Sequence, residues 1–221
     1  MFFQRKSISC PLMYEKIPLS TKIGDLTFVV FDTETTGFQV ASTDRLIEIG
    51  GVPVNGMRVM ENDRFQTYVN PERQISREII ELTSITDEKV AGAPLATEAI
   101  QNFFDYVGSH EAVCLVGHYV GFDQLVLKSE LKREKLALKK LFTIDTLDLI
   151  GFIAPSYDMR DLERYAMAFG TRIYGRHSAV GDALTTAYLF TELLQQFKDR
   201  GHSTWGELIK ATESQMRSMQ F

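Results

Sequence analysis

Residues 112–117 read AVCLVG, a strand-length run with no charged side chain, followed at once by His118 and Tyr119. A strand exposed on one face alternates apolar and polar positions. An unbroken apolar run therefore belongs at the centre of a sheet covered on both faces. That demands helices on two sides, and the rest of the chain offers them. Ahead of the run stand three strand-like segments, TFVVFDTE, RLIEIGGVPV and RFQTYVN, with an Asn55-Gly56 pair after the second that marks a tight turn. These predict an antiparallel meander. Between them and the run, SREIIEL predicts a short helix and PLATEAIQNFFDYVG a longer one opened by Pro94. Behind the run, GFDQLVLKSELKREK predicts a helix and LFTIDTL a fifth strand. Helical spacing then continues through LDLIGFI, DMRDLERYAMAFG, SAVGDALTTAYLFTELLQQF and TWGELIKATESQMRSM.

The expected fold is thus α/β, a mixed five-stranded sheet flanked by helices, over residues 26–200. Residues 1–25, with two prolines and no sustained period, read as a leader packing loosely on that domain; 201–221 read as a C-terminal helix packed against it. A chain of 221 residues, 44% hydrophobic, can bury a sizeable core. Its net charge of −5 opposes a polyanion, so a nucleic-acid substrate would require local basic patches or bound cations. The two cysteines form no CxxC pair, which removes support for a disulfide framework or structural zinc. No stretch approaches ~18 apolar residues and the N-terminus has no apolar signal core, so the expectation is a cytoplasmic protein without a membrane span.

The acids are harder to place than the core. Asp32 and Glu34 lie two apart at the end of TFVVFDTE, so they project from one face of a strand, with Gly37 allowing a sharp turn just after. Two such carboxylates repel unless a proton or a cation sits between them. Asp123 lies where the apolar strand gives way to a helix, and Asp182 near the start of an apolar helix, followed by Ala183, Leu184 and Ala187. Each could be a solvated acid opposing a helix dipole. Together they suggest an oxygen-rich site for hard divalent cations, Mg²⁺ or Mn²⁺. His177 precedes Asp182 by five residues, ~140° away on a continuous helix, which places it on the preceding loop. Beside such a site a histidine, titrating near neutrality, is the natural general base.

FDTETTG, VGHYVGFD and RHSAVGDA, in that order, resemble the three motifs of the DEDDh exonucleases, the DnaQ-like family that includes the proofreading (epsilon) subunit of bacterial DNA polymerase III. The likeness covers residues 26–197, and DRLIEIG, YVNPE, LTSIT and IDTLDL agree with it. The resemblance implies a ribonuclease-H-like fold and 3′-to-5′ hydrolysis of phosphodiester bonds at single-stranded or frayed 3′ ends, releasing nucleoside monophosphates. It implies one cation on Asp32, Glu34 and Asp182, a second on Asp32 and Asp123, and His177 as general base. Two cations ~3.5–4 Å apart suit an in-line displacement. The amides of Thr35, Thr36 and Gly37, with Phe38, Phe122 and Arg176, would hold the terminal nucleotide and its phosphate; for Phe38, core packing is an equal alternative. Implied partners are a nucleic-acid 3′ end and, for a proofreading enzyme, a DNA polymerase III core or sliding clamp. The same chemistry on RNA ends, or a non-catalytic binding subunit, are the competing readings.

Three features depart from the pattern or stand outside it. Tyr119 occupies the place where relatives usually carry Asn, which removes a polar contact near the substrate loop, while His118 reads as a satisfied structural histidine. The run Lys128–Lys140 holds six basic residues in thirteen, either a solvated helix face or a guide for phosphates. The terminal QMRSMQF resembles clamp-docking peptides, against the alternative of an amphipathic helix end with Trp205, Leu208 and Ile209 turned inward.

Overall fold

A computed structural model describes residues 6–159 and 161–213. In chain order the elements are β1 (Ser7–Ile8), β2 (Thr27–Thr35), β3 (Leu46–Asn55), β4 (Arg58–Val59), β5 (Phe65–Tyr68), α1 (Arg77–Thr83), α2 (Asp87–Val90), α3 (Ala96–Ser109), β6 (Leu115–Gly117), α4 (Val120–Arg133), β7 (Ala137–Leu138), β8 (Thr143–Asp145), α5 (Thr146–Ile153), α6 (Leu162–Ala168), α7 (Ala179–Asp199) and α8 (Trp205–Glu213). The main sheet runs β4-β3-β2-β6-β8, with β5 also paired to β3. β2 and β3 are antiparallel, whereas β6 lies parallel to both β2 and β8. The sheet is mixed, as expected, but has six strands rather than five. The added strand is β4. Gly56 and Met57 both take positive φ, +53° and +69°, the geometry of a two-residue hairpin turn, so the chain pairs back on Val54 and Asn55 before continuing to β5.

The apolar run lands between β2 and β8, as its composition requires. Alternation along β2 divides two cores. Phe28 and Val30 enter one with Val52, Val54, Val116 and the buried faces of α5, α7 and α8. Val29 and Phe31 enter the other with Phe103 and Phe104 of α3 and Val126 and Leu127 of α4. Each fully buried side chain of this size contributes about 1.5–3 kcal/mol of transfer free energy.

Residues 6–25 pack more closely than a loose leader. β1 pairs with β7, Tyr14 stacks on Phe142 at 4.7 Å, and Ile23 is wholly buried in the core beside Trp205. Burial pushes the Cys10 thiol up to about 12. Helix α6 is shorter than the periodicity suggested, beginning only after Asp161, whose carboxylate accepts from the Arg164 amide. In α8, Trp205 and Leu208 do turn inward, while QMRSMQF lies outside the described residues.

Candidate active site

Paired residues of an antiparallel ladder share a face. Asp32 opposes Gly50 and Glu34 opposes Glu48, so all four positions look toward α7. Gly50 lets that helix descend onto the sheet, since a Cβ there would lie 2.3 Å from the backbone of Ala179 and Val180. The first free amide of α7, at Ala179, donates to Glu48 Oε2 at 2.9 Å, and Gln66 Nε2 donates to the other Glu48 oxygen at 2.6 Å. Glu48 is almost wholly buried and works as a cap supplied by another strand. Asp182, one turn into α7, is thereby brought over β2. One carboxylate oxygen each from Asp32, Glu34 and Asp182 falls within 4.8 Å of the others. Gly50→Ala is expected to lift the start of α7 and cost about 1–3 kcal/mol in urea unfolding; an unchanged midpoint would show that α7 does not rest on this glycine.

Asp123 comes from the opposite direction. It is buried on the first turn of α4 and accepts from Thr33 Oγ1 at 2.6 Å, Thr33 being the β2 residue between the two acids. It stands outside the group of three, yet is the foremost charged neighbour raising the pKa of Asp32. The first turn of α4 is held by Asp145, which accepts from the amides of Tyr119 and Val120 and also from Leu147 at the start of α5. Tyr119 has φ +58°, a conformation that Asn adopts far more readily, which gives a backbone reason for the Asn usual there.

Burial pushes every acid of the cluster up, and at Asp32 and Glu34 repulsion from the neighbouring carboxylates adds to it. Asp32 is held well above the usual carboxylate range, Glu34 is pushed to about 8, and Asp123 to about 7 despite the Thr33 hydroxyl that favours its anion. Asp182 is raised by burial, against the pull of Arg176, whose Nη1 lies 2.9 Å from Oδ1. A set of half-buried to buried oxygen donors with one adjacent guanidinium has the chemistry of a hard divalent-cation site.

His177 sits on the loop before α7, as its spacing predicted, with φ +59° and its amide donating to Asp182 Oδ2 at 3.2 Å. Its ring makes no hydrogen bond or ion pair among the described residues. The loop is laid along α7 by its own contacts. Tyr174 stacks on Tyr188 at 5.8 Å, its amide donates to Thr185 Oγ1, and Arg172 lies over the Tyr188 ring while pairing with Glu61, which also accepts from the Tyr188 hydroxyl. A Cβ on Gly181 would strike the carbonyl of Gly175 at 2.0 Å, so helix and loop touch through bare backbone.

Thr35, Thr36 and Gly37 form the turn out of β2. Gly37 has φ +154° and a Cβ there would meet Asp44 at 2.5 Å. Asp44 braces this loop by accepting from Thr36 and from the Gln39 amide, and Arg133 Nη2 donates to the carbonyls of Val40, Ser42 and Asp44. From this fixed loop Phe38 projects 87% exposed, its ring 6.0 Å from that of Phe122. Core packing is thereby excluded for Phe38. His118 is only half satisfied: Nδ1 meets Thr146 Oγ1 at 2.7 Å, but Nε2 is buried without a partner among the described residues, and burial lowers the ring's pKa to about 4. Sequence reasoning overlooked Glu48, Thr33 and Asp145 as individuals. Two of them lie inside DRLIEIG and IDTLDL, and a buried-strand acid in each was the available signal.

The chain is also similar to known proteins. A family model described as exonuclease, of the RNase T type, matches residues 29–190. PolC-type DNA polymerase III proteins of Staphylococcus epidermidis and Staphylococcus aureus are 32% identical over 200 residues, covering 90% of this chain and 13% of theirs. The chain therefore spans about an eighth of the length of these relatives. Among solved structures, the nuclease domain of 3′hExo, a DEDDh family member bound to rAMP, superposes with a TM-score of 0.70 at 20% identity, over 79% of this chain and 94% of that one. Exonuclease X in complex with 5′ overhanging duplex DNA gives 0.64 at 21% identity, over 84% and 99%. These likenesses show the ribonuclease-H-like fold, and the family match establishes that the chain belongs to the RNase T-type exonucleases.

Proposed function

We propose that the chain hydrolyses phosphodiester bonds from the 3′ end of single-stranded or frayed DNA, in a divalent-cation-dependent reaction that releases nucleoside 5′-monophosphates. The observation that carries this reading is the convergence of Asp32, Glu34 and Asp182 within 4.8 Å, all with raised pKa values, beside a histidine with a free ring. Divalent cations held there, with Asp123 completing the acid set beside Asp32, would neutralise the acids and supply Lewis-acid activation of phosphate and water. His177 takes the proton of the attacking water. The water oxygen forms the new bond to phosphorus as the bond to the preceding 3′-oxygen breaks, and that oxygen takes a proton from solvent, leaving a shortened strand with a 3′-hydroxyl. Arg176, with Nε and Nη2 unengaged among the described residues, faces the phosphate. Phe38 and Phe122 offer ring faces to the terminal bases, an interaction worth about 1–3 kcal/mol per base.

His177→Ala is expected to lower kcat about 10²–10⁴-fold. Its KM should stay near that of the unaltered protein, since a proton acceptor contributes little to ground-state binding; a variant altered in KM alone would remove His177 from the proton transfer. The reading itself is tested with matched linear and circular single strands of DNA and RNA. Linear strands should disappear while circles survive. Degraded circles would refute an end-dependent enzyme, and an RNA rate above the DNA rate would move the assignment to RNA ends. A place in a DNA polymerase III assembly rests only on the PolC-type relatives, of which the chain matches a small part.

A further inference from the structure

We propose that Lys128, Lys139 and Lys140 form a track for the backbone phosphates of the single strand upstream of its 3′-terminal nucleotide. The proposal rests on the exonuclease reading above and adds where the rest of the substrate lies.

The three lysines line one cleft of about 310 Å³, together with Gly121, Gln124 and Leu125 of α4 and Leu138 and Leu141 around β7 and β8. All three are exposed, and none has an acidic partner within 4 Å among the described residues. Uncompensated positive charge gathered on one concave surface is unexpected in a chain of net charge −5, where a solvated helix face would carry interspersed ion pairs. The remaining basic residues of the same run divide differently. Arg133 is committed to the carbonyls of the 40–44 loop, and Lys132 and Lys135 do not line the cleft.

Position links the cleft to the acids. Gly121, Gln124, Leu125 and Lys128 fall at helical spacing on one stripe of α4. Asp123 points to the other flank, so a strand leaving the site must cross the first turn of the helix. It crosses there at Gly121, exposed and without a side chain, next to Phe122, whose ring faces Phe38. Beyond that crossing the half-buried Leu125 and Leu138 offer apolar surface to bases and the lysines offer ammonium groups to phosphates. Such contacts are independent of base sequence and sensitive to salt.

The test compares the unaltered chain with the triple variant K128Q/K139Q/K140Q, and with K132Q/K135Q as a control for charge removed from the same run outside the cleft. Substrates are the p-nitrophenyl ester of thymidine 5′-monophosphate, which has no upstream phosphate, and a single-stranded DNA of about fifteen nucleotides. In the triple variant, ester hydrolysis should be unchanged while KM for the long strand rises about tenfold. The slope of log KM against log salt should become shallower by about 2, near 0.7 per lost phosphate contact. The control should stay within about twofold. Equal KM and slope in the triple variant and the unaltered chain, with ester hydrolysis intact, would overturn the track and leave the exonuclease standing. A rise of the same size in the control would also overturn it, in favour of bulk charge. Failure of the unaltered chain to hydrolyse either substrate with Mg²⁺ or Mn²⁺ would overturn the exonuclease reading and the track together.

Discussion

Asp32→Asn is expected to reduce hydrolysis about a thousandfold or more while leaving the protein folded and at least as stable without cations. Asp32 sits at the centre of the cluster, where burial and the charges of Asp123, Asp182 and Glu34 all hold its proton on. An amide of the same shape removes the charge that a divalent cation requires but avoids the desolvation penalty of that charge. Loss of one principal electrostatic element of a phosphoryl-transfer site costs about 3–4 kcal/mol in the barrier or more. The same argument applies to Asp182, with one difference. Asp182→Ala also frees Arg176 and the His177 amide from their partner, so the loop before α7 should loosen and the stability gain should be absent. Activity assays paired with thermal melts separate the two. Full activity in either variant would place the reacting centre elsewhere.

The second large effect is on stability. Glu34 titrates near 8 and Asp123 near 7 in the native protein, and Asp32 well above the usual range, whereas all three ionise near 4 when unfolded. The native state thus holds extra protons across the intervening window. Stability without cations is therefore greatest below the unfolded values and is lost as pH rises through the native ones. His118 runs the other way: with its pKa lowered to about 4, it adds stability as pH rises toward 6.5 and nothing beyond. The clean window is therefore pH 6.5 to 8. There Glu34 alone should remove roughly 2 kcal/mol, or roughly 4–8 °C of Tm for a chain of this size. Cations bind the ionised acids, so Mn²⁺ should offset the loss, and by more at pH 8 than at pH 6.5. A cation-free Tm that is flat or rising across this window, or a Mn²⁺ effect that shrinks with pH, would contradict the electrostatics described for the cluster.

What could be read from the sequence was governed by period and by local spacing. The central strand, the β2 acids and the loop position of His177 follow from two-residue and 3.6-residue repeats, and each stands in the structure where those repeats put it. The misses share a different cause. The short pairing of β1 with β7 and the burial of Ile23 depend on contacts more than a hundred residues apart, to which a polar, proline-bearing segment gives no local clue. β4 is two residues long, too short to show alternation. Glu48 and Asp145 show their role only once the fold brings to them the helix amides they accept from. Phe38 was undecidable by type, since an aromatic after a turn suits a core or a platform; only the bracing of its loop by Asp44 and Arg133 leaves it standing in solvent.

The most direct measurement of the central claim is a time course on one single-stranded DNA, labelled in turn at its 5′ and 3′ ends, with Mg²⁺, Mn²⁺ or excess EDTA. The account predicts a 5′-labelled ladder that shortens by single nucleotides only when a divalent cation is present, with 5′-mononucleotide as the sole early product from the 3′ label. Cleavage that persists in EDTA, or a 5′ label released first as mononucleotide, would contradict it.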